Sequence, residues 1–199
     1  MRALIMAGGT GSRLNLGEKP LVTCGGRPMI SYVVDAFCDA GYEPVVAVTS
    51  RTPMTQNWCR AHEIAFCKAA GKGYIEDMVE VITSLEETLP LFVSVSDIPC
   101  ITPTILRTIQ DRYIESGKDA CSTWVPASLM HSDLKEAVCN EKVDNIMACP
   151  VGVNILRGDH IKEPQDELQL LLSDPRLAMN VNTRADLMRV EKFMTVNKT

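Results

Sequence analysis

The feature that most constrains this chain lies at its start. Ala3 to Ala7 is a short uncharged apolar run, and Gly8, Gly9 and Gly11 follow it at once. A run of this length bounded by glycine fits a strand buried on both faces, which belongs in a parallel sheet covered by helices. Three glycines in four positions let backbone N–H groups approach a ligand that side chains would push away, and successive N–H groups form a concavity suited to anions. Arg13 and Lys19 add two positive charges close by, where a phosphate chain would need neutralising. Ala7, Gly8, Gly9, Thr10, Gly11, Ser12, Arg13 and Lys19 are therefore the candidate nucleotide-binding segment.

Two familiar phosphate loops are excluded by spacing. The Walker loop needs Gly, four residues, then Gly-Lys-Ser/Thr, and that spacing does not occur here. The dinucleotide fingerprint wants a third glycine where Leu14 stands and an acidic residue closing the second strand, where Thr49 and Ser50 stand. A mere glycine-rich connection would need neither Arg13 nor the downstream Glu18-Lys19-Pro20-Leu21.

With 199 residues and no marked linker, the chain reads as one domain, 1–199. A net charge of -5 denies general nucleic-acid binding its electrostatic footprint, so any anion site must be local. The longest uncharged apolar runs are strand-sized, and the amino terminus has no signal-peptide pattern, so a soluble cytoplasmic protein without a membrane span is expected. The 8 cysteines contain no CxxC and no tight pair, and are expected to be small buried hydrophobes in a reducing compartment. Cys59, His62 and Cys67 lack a fourth ligand at the usual spacing for zinc.

Apolar spacing predicts a helix from Met29 ended by Gly41, a strand at Val45–Val48, a helix through His62 and a strand at Ile64–Cys67. Gly71-Lys72-Gly73 then precedes a helix whose first turn carries Glu76 and Asp77. These two acids either complement the helix dipole or accept the N–H donors of guanine, an edge adenine does not present. Lys72, flanked by glycines, is a cation able to fold over a bound anion.

Leu91–Val95 is a strand that ends at Ser96-Asp97. Ligands of open α/β sheets bind beyond the carboxyl ends of strands, and the helix-capping role falls better on Thr102 with Pro103 behind it, so Asp97 reads as a Mg²⁺ ligand. A helix over Ile101–Glu115 and a strand over Asp119–Val125 follow. Pro126–Asn145 gives no clear pattern and is the region left for recognising an acceptor. Val151–Leu156 is a strand containing Gly152, Asp166–Leu172 reads as a short helix, and Thr183 with Asp186 caps a last helix.

Leu-Ile-Met-Ala-Gly-Gly-Thr-Gly-Ser-Arg followed by Glu-Lys-Pro-Leu resembles the signature of nucleotidyltransferases with a Rossmann-like fold. The resemblance implies an α/β fold, a single Rossmann-like nucleotidyltransferase domain with a mostly parallel central sheet and helices on both faces. It also implies that the glycine loop and Arg13 wrap a triphosphate, that Lys19 contacts phosphate at the reacting centre, and that Asp97 holds the bridging metal. Asn180-Val181-Asn182-Thr183 is similar to the carboxyl-terminal motif of molybdopterin-type guanylyltransferases, which makes Asn180 and Asn182 candidate metal contacts. Gly-Lys-Gly-Tyr-Ile-Glu-Asp at 71–77, Pro-Val-Gly-Val-Asn at 150–154 and the asparagine motif together look like the archaeal GTP:adenosylcobinamide-phosphate guanylyltransferases. The implied reaction moves GMP from GTP to adenosylcobinamide phosphate and releases pyrophosphate, with Arg13, Lys19 and Asp97 carrying it. A molybdenum-cofactor or sugar-phosphate nucleotidyltransferase and a non-catalytic nucleotide sensor are the alternatives. Oligomeric state is left open, a homodimer being one arrangement.

Overall fold

The computed structural model describes residues 1–11, 13–130, 139 and 141–196. In chain order, β1 (Arg2–Met6) is followed by a hairpin of β2 (Thr23–Cys24) and β3 (Arg27–Pro28) and by α1 (Met29–Asp39). β4 (Glu43–Val48), α2 (Pro53–Ala61), β5 (Ala65–Lys68) and α3 (Tyr74–Ser84) come next. β6 (Pro90–Val95), α4 (Pro103–Ser116) and β7 (Ala120–Pro126) precede β8 (Glu141–Val143), β9 (Ile146–Arg157) and β10 (Glu167–Leu171). Helix α5 (Arg184–Val196) is the last described element.

The strands form one sheet in the order β10-β7-β9-β6-β1-β4-β5, with β8 attached to β9. β1 runs parallel to both β4 and β6, β4 to β5, and β7 to β10; β9 is antiparallel to its neighbours. The expected buried strand is thus the middle of the sheet. Its side chains alternate: Ala3 and Ile5 enter one core with Ile30, Phe37, Leu106 and Ile109 of α1 and α4, while Leu4 enters another with Met78, Val81 and Ile82 of α3. Helices therefore cover both faces, and fully buried side chains such as Phe37, Phe92 and Leu4 each contribute about 1.5–3 kcal/mol.

Local signals hold where they rest on named chemistry. The Thr102 hydroxyl accepts from Ile105 N at the start of α4, with Pro103 first in the helix and Gly117 in the left-handed conformation at its end. Gly152 has φ +78°, and a Cβ there would lie 2.9 Å from a Val95 methyl, so this bulge in β9 brings it into close approach with β6.

Two expectations are overturned. Asp166–Leu172 is not a helix: β10 places Glu167 and Gln169 outward and packs Leu168 and Leu170 against the core, the alternation of a half-buried edge strand. The cysteines are not all free either. Cys139 and Cys149, 10 residues apart, form a disulfide, because the β8–β9 hairpin folds the chain back on itself between them. Of the acceptor region expected within Pro126–Asn145, residues 131–138 and 140 lie outside the described residues, as does Ser12.

Candidate active site

Because β1, β4 and β6 are parallel, their carboxyl ends meet at one edge of the sheet, where a cavity of about 230 Å³ opens. Met6, Gly8 and Gly9 reach it from β1; Val95, Ser96 and Asp97 reach it from β6. Gly73, Tyr74 and Asp77 line it from the start of α3, and Lys19 and Arg51 complete the wall.

Lys19 is delivered by the Glu18-Lys19-Pro20-Leu21 segment, which forms a 3-10 turn. Glu18 fixes this turn by an unforeseen contact: its carboxylate accepts from Met54 N at 2.7 Å, Thr55 N at 2.6 Å and the Thr55 hydroxyl at 2.6 Å, so it caps α2 from outside that helix. Gly11 allows the loop to pass close to the lysine. It has φ +62°, and a Cβ there would meet Lys19 Cβ at 2.6 Å, so only glycine fits both the conformation and the space.

The Lys19 ammonium forms an ion pair with Asp97 and donates to Asn182 Oδ1 at 2.8 Å. Asn182 arrives here because Val181 N donates to the Asp97 carbonyl at 2.9 Å, running the asparagine segment alongside the end of β6. The turn behind it is held by Asp186, whose Oδ2 accepts from Asn182 N, Thr183 N and the Thr183 hydroxyl, while the Thr183 hydroxyl accepts from Asp186 N. This is the expected reciprocal cap. Burial pushes the Asp186 carboxyl up, but the bonds from Thr183, Asn182 and Arg189 outweigh it and hold its pKa below the usual carboxylate value. Asn180 Oδ1 is buried and has no hydrogen-bond partner among the described residues.

The 71–73 loop is held from both sides. Asp77 Oδ1 accepts from Gly71 N at 2.8 Å and Lys72 N at 2.9 Å, and Arg51 Nη2 donates to the Gly71 carbonyl at 3.2 Å. Asp77 is buried and lines the cavity, whereas Glu76 is exposed and does not. Lys72 and Arg13 are exposed and stand outside the cavity wall, and Ala7 and Thr10 sit in the loop beside it. Structure thus brings together Lys19, Asp97, Asn182, Asp77 and the first glycines; it leaves Arg13, Lys72 and Glu76 at the surface. Arg51 and Tyr74 went unnoticed in the sequence. A cation directly after a parallel strand was the available signal for Arg51.

A glycine-floored cavity with a lysine–aspartate pair at the carboxyl edge of a parallel sheet is an arrangement for holding phosphate and a cation together. Residues 3–146 match the MobA-like NTP transferase domain, and the chain belongs to this family of nucleotidyltransferases. Over 98% of this chain and 97% of the other, it is 31% identical to the adenosylcobinamide-phosphate guanylyltransferase of Methanocaldococcus jannaschii. It is also 29% identical to a probable molybdenum cofactor guanylyltransferase of Thermococcus sibiricus, over 61% of this chain and 60% of that one. Among solved structures, a CMP:2-keto-3-deoxy-manno-octonic acid synthetase complexed with CTP superposes with TM-score 0.70 over 98% of this chain and 99% of its own, at 17% identity, a likeness of fold.

Proposed function

We propose that this nucleotidyltransferase moves GMP from GTP to adenosylcobinamide phosphate and releases pyrophosphate. Similarity at 31% over nearly the whole chain to an enzyme of that name supports this acceptor over the molybdenum-cofactor one, whose relative is matched over 61% of the chain. In the molecule itself, the reading rests on one observation: Lys19, Asp97 and Asn182 converge beside the glycine loop.

A phosphate monoester, with its second pKa at about 6, is already an anionic nucleophile at neutral pH. Its oxygen attacks the α-phosphorus of GTP, the new P–O bond forms as the bond to the bridging α–β oxygen breaks, and the electron pair leaves on pyrophosphate. No general base is required. Backbone N–H groups of Gly8, Gly9, Thr10 and Gly11 cradle the triphosphate, with Arg13 closing on it from the surface. Lys19 neutralises charge developing toward the leaving group, and positioning supplies most of the remainder.

Asp97, Asn182 and Asn180 offer only oxygen donors, which suit a hard divalent cation such as Mg²⁺, and the unpartnered Asn180 Oδ1 fits a role as ligand. Among the described residues no cluster of three His, Cys, Asp or Glu could hold a metal alone, so the site would draw further ligands from substrate phosphates. When bound, Mg²⁺ supplies charge neutralisation between the two phosphate groups. The 71–73 loop, held by Asp77 and Arg51, is the segment we assign to reading the nucleobase. Because the donor is a nucleoside triphosphate, the proposal includes a cytoplasmic location; among the described residues no helix is long and apolar enough to cross a membrane.

The test is direct. Incubated with Mg²⁺, GTP and adenosylcobinamide phosphate, the protein should release pyrophosphate and yield the GDP-linked corrinoid by mass spectrometry, with far less product from ATP, CTP or UTP. Absence of pyrophosphate with every nucleotide overturns the reading.

A further inference from the structure

The chain has 4 tyrosines, and three of them spend their hydroxyls on the fold. Tyr32 donates to the Cys24 carbonyl, Tyr42 to Gln110 Oε1, and Tyr113 to the Asp119 carbonyl. Tyr74 is different. It lines the cavity with Gly8, Lys19 and Asp97, and its hydroxyl has no hydrogen-bond partner among the described residues. With no protein partner, the hydroxyl is left available to a ligand in the cavity.

We propose that Tyr74 is a substrate-contacting residue whose phenol O–H donates to a non-bridging oxygen of the nucleotide α-phosphate during transfer. This rests on the nucleotidyl-transfer reading of the same cavity. The position is fixed from below: Tyr74 is the first residue of α3, and Asp77 one turn on ties that helix to Gly71 and Lys72. The residue is 43% exposed, so a ligand entering the cavity can reach its phenol. A phenol is neutral at about pH 7 and acts there as a donor. Its place on the cavity wall with Lys19 and Asp97 points to the phosphoryl group at the reacting centre rather than the base or the distal phosphates. A neutral donor there adds a hydrogen bond where Lys19 already supplies charge, and a bond that tightens as negative charge builds on the oxygen accelerates transfer.

Tyr74→Phe removes the hydroxyl and keeps the ring. Turnover should fall by about 100-fold, the usual loss for one donor at a developing oxyanion. GTP affinity by calorimetry should stay within about threefold of the parent, separating a transition-state contact from ground-state binding. A second readout needs no acceptor: with ¹³Cζ-labelled tyrosine, the one of 4 resonances absent from Tyr74→Phe should shift when Mg²⁺ and GTP are added. Turnover within about threefold of the parent, or calorimetric GTP binding with that resonance unmoved, overturns the Tyr74 contact. Failure to bind GTP at all overturns the nucleotidyltransferase reading instead, and GTP binding that moves the resonance without transfer overturns the acceptor alone.

Discussion

Lys19 and Asp97, 78 positions apart in the chain, form an ion pair on the wall of the cavity with side chains only 17% and 13% exposed. The two charges compensate each other, and Asn182 Oδ1 accepts a second hydrogen bond from the ammonium. A bound triphosphate would compete with Asp97 for the ammonium and leave the carboxylate to the metal. Both partners are therefore poised to exchange one anion–cation contact for another without a bare charge in a low-dielectric site.

Replacing Asp97 by Ala should cut turnover by about 100–1,000-fold while the chain still folds, since Lys19 keeps Asn182 and can reach water. Turnover of the variant against that of the parent in magnesium buffer checks this, with circular dichroism confirming the fold. Undiminished turnover would remove Asp97 from the metal assignment.

Lys19→Ala separates phosphate binding from fold maintenance. It leaves a mostly buried carboxylate without its cation, so some loss of stability is expected, on the order of 1–3 kcal/mol. Transfer should suffer much more, because the group that meets the leaving charge is gone. Melting curves and kcat measured together decide: a collapse of Tm with activity retained in the folded fraction would make this lysine structural.

Glu18 links the turn that carries Lys19 to α2, and its removal should show in both stability and activity. Glu18→Ala deprives Met54 N and Thr55 N of their acceptor and should cost about 1–2 kcal/mol. Since the same segment positions Lys19, kcat should fall as well. Glu18→Gln, which keeps an acceptor oxygen but loses the charge at the helix start, should recover part of both. Urea denaturation and steady-state kinetics measure the two effects.

Asp186 sets an acid limit on the carboxyl-terminal motif. Its folded pKa lies below the ordinary carboxylate value, so the unfolded chain takes up its proton first as pH drops. The stabilisation it gives is complete above about pH 4 and is lost as pH falls through the folded value. Asp186→Asn should lower stability at pH 7 and flatten the acid limb of the stability–pH curve. Denaturation midpoints from pH 3 to pH 7 test the sign; equal acid dependence in parent and variant would contradict it.

How much of this was readable beforehand depends on the range of the interaction. β1 was legible because a doubly buried strand must be apolar throughout, and its glycine loop because chain leaving such a strand reaches the carboxyl edge of the sheet, where the cavity opens. Thr102 and Thr183 were legible because capping is a contact within one turn. β10 was misread: its leucines at 168, 170, 171 and 172 satisfy helical and alternating spacing over so short a stretch, and only pairing with β7 decides. Glu18 capping α2, Arg51 holding Gly71 and the Cys139–Cys149 bridge all join segments whose proximity comes from the topology, so no local pattern announces them.

The disulfide yields the last prediction. Cys139 and Cys149 are joined, whereas Cys24, Cys38, Cys59, Cys67, Cys100 and Cys121 are free. Burial pushes the thiols of Cys24 and Cys59 to about 11 and those of Cys100 and Cys121 to about 12, which keeps them unreactive while the chain is folded. The native protein should accordingly react quickly at exposed Cys38 and slowly elsewhere. Unfolded without reductant it should titrate 6 thiols, and after reduction all 8. Cross-linking across this short loop should stabilise by about 2–4 kcal/mol, so dithiothreitol or the paired Cys139→Ala, Cys149→Ala exchange should lower Tm by roughly 5–10 °C. Neither cysteine lines the cavity, so GTP affinity should survive reduction. Eight titratable thiols in protein purified and unfolded without reductant would show the bridge absent in solution, and the hairpin would then be held by β8–β9 pairing alone.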